Sequence, residues 1–85
     1  MEEEWLVMAF DSTQQALRAE MLLEYAQVEI DLYPTPKEIT AGCALSIQFP
    51  QGSLRLVKEI VTSEQVEIRG IYKRSTAGEY DSISL

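Results

Sequence analysis

The run VEIDLYPTPKEITAGCALSIQF, residues 28–49, decides the fold. Val28, Ile30 and Leu32 alternate with Glu29, Asp31 and Tyr33, the period of a half-buried strand. Pro34-Thr35-Pro36 ends it, because proline cannot donate to a ladder and restricts the residue before it. A loop follows to Gly42. A second strand over about 43–49 then sets Cys43, Leu45, Ile47 and Phe49 against Ala44, Ser46 and Gln48. Two strands thus follow one another with no helix between them.

Upstream, residues 4–10 are rich in strand formers and carry apolar side chains on both parities, as in a central strand covered on both faces. Either Trp5, Val7 and Ala9 or Leu6, Met8 and Phe10 must then look away from the helices, under a second subunit or the C-terminal tail. Asp11-Ser12-Thr13 supplies capping side chains for a helix over 13–26, with Ala16, Ala19, Leu22, Leu23 and Ala26 on its core face. Downstream, Pro50-Gln51-Gly52-Ser53 turns into a second helix that faces Leu54, Val57, Ile60 and Val61 inward. Val66 and Ile68 mark a last strand running to about Lys73. Residues 74–85 read as a polar tail that Tyr80 and Ile83 can dock.

The order β-α-β-β-α-β predicts an α+β, ferredoxin-like two-layer sandwich, with four antiparallel strands carrying two helices on one face. Eighty-five residues make one domain, 1–85, with a core over about 4–73. The net charge of −7 disfavours nucleic acid, whose recognition rests on Lys and Arg. Much of it sits in Glu2, Glu3, Glu4, Glu79 and Asp81, and residues 5–78 hold nine acids against seven bases. No apolar run approaches the ~20 residues that span a bilayer, and the acidic MEEEW start is unlike a signal or transit peptide, so a cytoplasmic protein is expected. One cysteine allows no internal disulfide. The lack of histidine removes the usual zinc sites and every Ser-His-Asp or Cys-His arrangement. Neither a metal nor a cofactor is indicated, and an enzyme built on a carboxylate pair is the weakest reading.

Cys43 is the chemically suggestive residue. Strands one and three are central neighbours in this fold, so Cys43 should point to the helix side near Ser12 and Thr13. Unpaired N–H groups at a helix start favour an anion, and such a position can activate a thiolate. Asp11 opposes this if its carboxylate is close, while Lys37 and Arg18 are candidate cationic neighbours. Against this, a lone cysteine in an apolar strand is usually inert packing.

Two stretches carry a resemblance. Residues 10–23, FDSTQQALRAEMLL, and Pro34-Thr35-Pro36-Lys37-Glu38-Ile39 followed by Cys43-Ala44-Leu45 resemble the two signatures of a small bacterial family, the Se/S carrier protein-like family, over residues 5 to about 73. The resemblance implies that Cys43 holds sulfur or selenium as a persulfide or selenopersulfide. Thr35, Pro36, Lys37 and Gly42 then form its supporting loop, and another protein serves as donor or acceptor. The chain departs from that pattern at Ala41-Gly42, where serines are usual, and at Ala44, where glycine is frequent. The competing reading is a dimeric ferredoxin-like binding or regulatory module in which Cys43 is structural. Leu17, Met21 and Tyr25 recur at i, i+4, i+8 opposite the alanine face and form a candidate homodimer surface.

Overall fold

A computed structural model describes residues 4–39, 42–74 and 78–83. The elements run β1 (Trp5–Ala9), α1 (Thr13–Tyr25), β2 (Asp31–Pro34), β3 (Leu45–Pro50), a 3-10 turn (Gln51–Ser53), α2 (Leu54–Ser63), β4 (Gly70–Arg74) and β5 (Tyr80–Ile83). All pairings are antiparallel, and the strands lie in the order β2-β3-β1-β4-β5. The fold is therefore α+β, with two α-helices and a five-stranded sheet among the described residues.

Five strands replace the expected four. The segment read as a tail supplies the fifth: Tyr80 pairs with Arg74, and Ile83 with Ile71. Gly78 in the connection has φ +85, a left-handed conformation that glycine adopts at no steric cost. Of the remaining tail residues, 75–77 and 84–85 lie outside the described residues, as do Glu2 and Glu3.

Boundaries shift where residues 28 and 66 were read as strand. Both helices close with the same hydrogen-bonded cap. In α1, Gln27 has φ +62, its N–H donates to the Glu24 carbonyl, and the Val28 N–H donates to the Leu23 carbonyl at 2.9 Å. In α2, Gln65 has φ +55 and the Val66 N–H donates to the Val61 carbonyl at 3.0 Å. These are Schellman caps, which fold Val28 and Val66 back onto the last helical turn. Both valines are buried there, so their apolar character marks helix ends, and β2 and β4 begin later.

Leu6, Met8, Phe10, Ile47, Phe49 and Ile71 form the core under the helices with Ala16, Ala19, Leu23 and Val57. Each fully buried large side chain contributes about 1.5–3 kcal/mol relative to exposure. Val7 and Ala9 face the other side of the sheet. Their cover comes from Ile39 with Tyr72 and Tyr80, so the loop and β5 do what a second subunit was expected to do as an alternative. No helix among the described residues is long and apolar enough to cross a membrane.

Candidate functional site

The site grows from the edge where the end of β1 pairs with the start of β3. After Ala9 the chain leaves the sheet through buried Phe10, whose carbonyl accepts the Cys43 N–H at 3.1 Å. That bond fixes Cys43 just before β3, at the edge where α1 begins. The next residue back, Gly42, donates its N–H to Asp11 Oδ1 at 2.8 Å. A Cβ on Gly42 would stand 2.9 Å from the Asp11 carbonyl oxygen, so the approach needs glycine's missing side chain.

Cys43 belongs to the helix-side core and is 5% exposed. This burial follows from the inward parity that Cys43 shares with Ile47 and Phe49. Its sulfur nevertheless has two polar neighbours. Sγ lies 3.3 Å from Thr13 Oγ1 and accepts the Leu45 N–H at 3.3 Å. With a thiol, the S–H can donate to the Thr13 oxygen; with an anionic sulfur, the Thr13 hydroxyl must donate instead. Two donors then converge on sulfur at the start of α1, where the helix dipole favours negative charge.

The other flank is held by hydroxyls. Thr35 Oγ1 donates to the Cys43 carbonyl at 3.0 Å and lies 2.6 Å from Ser46 Oγ. The Thr35 N–H donates to the Ala44 carbonyl at 2.8 Å. Ser46 is fully buried, and these contacts leave it hydrogen-bonded. Thr35 thus ties the end of β2 to the carbonyls of Cys43 and Ala44.

Ser12 and Thr13 divide their roles. Ser12 is the N-cap of α1 and accepts the Gln15 N–H at 3.4 Å, a long contact for such a bond. Thr13 turns to the thiol. The Pro36 carbonyl accepts the Ile39 N–H at 2.9 Å in a turn that buries Ile39 against Val7 and Ala9. Lys37 is exposed. Arg18 instead pairs with Glu64 at 3.8 Å. Ala41, one of the two departures from the family's serines, lies outside the described residues. Leu17, Met21 and Tyr25 are exposed along α1.

Sequence reasoning missed three participants. Arg69 Nη1 stands 3.6 Å from Asp11 Oδ2, so Asp11 meets Gly42 with one oxygen and a guanidinium with the other. Its charge is offset locally. Ser46 was read only as an alternating polar residue; a serine between Leu45 and Ile47 in a central strand was the available signal. The Leu45 N–H, a backbone group, leaves no signal in residue type. Beside the site, a cleft of about 530 Å³ opens between Asp11 and Ser12 and the C-terminal end of α2, floored by Val61, Val66 and Ile68. Among the described residues no group of three or more His, Cys, Asp or Glu could hold a metal ion.

No curated protein and no solved structure matches the chain. The family model described as "Putative Se/S carrier protein-like" matches residues 5–73. That span is most of the chain, and the chain belongs to this family.

Proposed function

For a member of this carrier-like family, we propose that Cys43 holds a persulfide or selenopersulfide for transfer between partner proteins. The observation that carries the reading is the pair of groups able to donate to sulfur, the Thr13 hydroxyl and the Leu45 N–H, each 3.3 Å from Sγ beside the start of α1. An added sulfur leaves the group anionic, and these donors favour an anion there.

The step is a sulfane-sulfur transfer. The Cys43 thiolate attacks the terminal sulfur of a donor persulfide, a new S–S bond forms at Cys43, and the donor's S–S bond breaks. The donor leaves as a thiolate, so charge and electrons balance without an added oxidant. An acceptor thiolate repeats the step in the opposite sense. A single cysteine suits this chemistry, since an intramolecular disulfide needs a resolving thiol. The protein carries the atom and turns over no substrate, and it works in the cytoplasm as one domain, with no cofactor. Its β-α-β-β-α-β core is a ferredoxin-like unit extended by β5, a reading supported by the neighbours β2-β3-β1-β4.

Burial sets a condition. At 5% exposure, Sγ meets a partner only after a local opening, which costs less than global unfolding. The same burial favours the second reading, a binding module in which Cys43 is packing. A homodimer through Leu17, Met21 and Tyr25 belongs to either reading. Sulfur loading of the folded protein, read by intact mass with Cys43→Ser as control, separates them.

A further inference from the structure

The face of the sheet away from the helices holds a second cleft, of about 330 Å³. Its floor is Val7 on β1 with Gln48 on β3, which are register partners. Trp5, Tyr33 and Tyr80 wall it, and Arg74 and Glu4 stand at its rim. Apart from Glu4, which precedes β1, these residues come from all five strands, and the fifth supplies Tyr80 as one of the walls. It lies on the opposite face from Cys43, whose side chain is in the helix-side core. The inference is therefore independent of the carrier reading.

We propose that this cleft binds a small aromatic carboxylate, its ring against Trp5, Tyr33 and Tyr80 and its carboxylate on Arg74. The volume is at the lower end for ligand pockets, ~300–1,000 Å³, which suits a one- or two-ring molecule. Three aromatic side chains offer ring faces and edges for offset or edge-to-face contact. Charge decides the ligand's other end. Glu4, the acid at the rim, is paired with Lys73 at 3.2 Å. Arg74 takes part in none of the ion pairs formed among the described residues. Its planar fork matches a carboxylate with two parallel hydrogen bonds. Gln48 is half-buried on the floor and offers an amide to a ring substituent. Burial, followed by the charge of Tyr33, pushes the Tyr80 phenol above its ordinary range; Arg74 acts in the opposite sense and Glu38 adds to the rise, so both charges are felt at this wall. The net charge of −7 opposes an anion at long range, but at ~0.15 M salt screening sets in beyond about 8 Å.

Trp5 is the sole tryptophan and is a built-in reporter. The full chain is titrated at near-physiological salt with benzoate, benzamide and benzamidine, which share a ring and differ in charge, while Trp5 fluorescence is followed. Benzoate should give a saturable change, with benzamide weaker by about tenfold, the scale of one charge-assisted contact, and benzamidine weaker still. Arg74→Gln should lose about that tenfold, and Arg74→Lys, which keeps the charge without the fork, should lie between. Absence of a saturable change overturns the proposal, as does equal affinity for the three probes. Undiminished benzoate binding by folded Arg74→Gln does so too. The wild-type ranking tests the charge claim by itself, whether or not the variants fold.

Discussion

The Cys43 sulfur lies 3.3 Å from the Thr13 hydroxyl oxygen, joining the segment that leads into β3 to the first residue of α1. This contact makes the thiol part of a helix start as well as part of the core. Packing alone would be satisfied by apolar neighbours; a hydroxyl and the Leu45 N–H at the same sulfur offer partners to negative charge. The proposed carrier role of Cys43 depends on that pair, and on the backbone approach that holds it in place.

Gly42 is the tightest point of that approach. Gly42→Ala puts a Cβ 2.9 Å from the Asp11 carbonyl oxygen, backbone that cannot swing aside. Overpacking of this kind costs about 1–3 kcal/mol. At about 4–8 °C per kcal/mol for a chain of this size, thermal melting should show a clear drop in Tm. An unchanged Tm means that Asp11 and Gly42 separate without cost.

Thr35 and Ser46 should behave as a coupled pair. Thr35→Val leaves fully buried Ser46 without the oxygen at 2.6 Å and frees the Cys43 carbonyl. An unsatisfied buried polar group costs about 1–3 kcal/mol. Ser46→Ala added to Thr35→Val removes the stranded hydroxyl, so the double variant should be less destabilised than the sum of the singles. Denaturant unfolding of all four proteins measures this coupling, and strict additivity counts against it.

The two glutamines at φ +62 and +55 are the clearest sites for stabilisation. A left-handed conformation costs a non-glycine residue about 1–2 kcal/mol, offset in part by glycine's greater entropy when unfolded. Gln27→Gly and Gln65→Gly should therefore each raise stability by about 0.5–1 kcal/mol, and their effects should add because they close different helices. A loss of stability in urea titrations contradicts this reading of the caps.

These caps also show where sequence reasoning stopped short. Val28 and Val66 are apolar residues next to strands, and alternation assigns them to those strands. Their burial comes from helix closure around a left-handed glutamine, which carries none of the usual glycine signal. Tyr80 and Ile83 were legible as docking residues, but four residues among polar neighbours are too few to read as a strand. The central elements were legible, since Leu6, Met8, Ile47 and Phe49 keep strict parity and Ala16, Ala19 and Leu23 keep helical spacing. At the site, the nearness of Cys43 to the start of α1 follows from topology. The choice of Thr13 over Ser12, and the pairing of Asp11 with Arg69, depend on side-chain directions that spacing does not encode.

Leu17, Met21 and Tyr25 are 49%, 65% and 91% exposed, an apolar line on an otherwise polar helix face. The proposed homodimer should appear in sedimentation equilibrium at micromolar concentration, and Met21→Lys should shift it towards monomer. Wild-type protein that stays monomeric across that range removes the dimer and leaves the stripe as exposed shoulders of the core.

Sulfur loading of the folded protein decides whether Cys43 carries an atom or only packs. Folded protein is incubated with a persulfide donor, or with a cysteine desulfurase and cysteine, and its intact mass is measured. One added sulfur is expected on Cys43, removed by reductant as a persulfide is and a sulfinic acid is not. It should be absent in Cys43→Ser, and loading should slow by about tenfold in Thr13→Val, the scale of one hydrogen bond to a charged group. Folded wild-type protein that takes up no sulfur, while a small-molecule thiol beside it does, contradicts the carrier account and leaves Cys43 as packing.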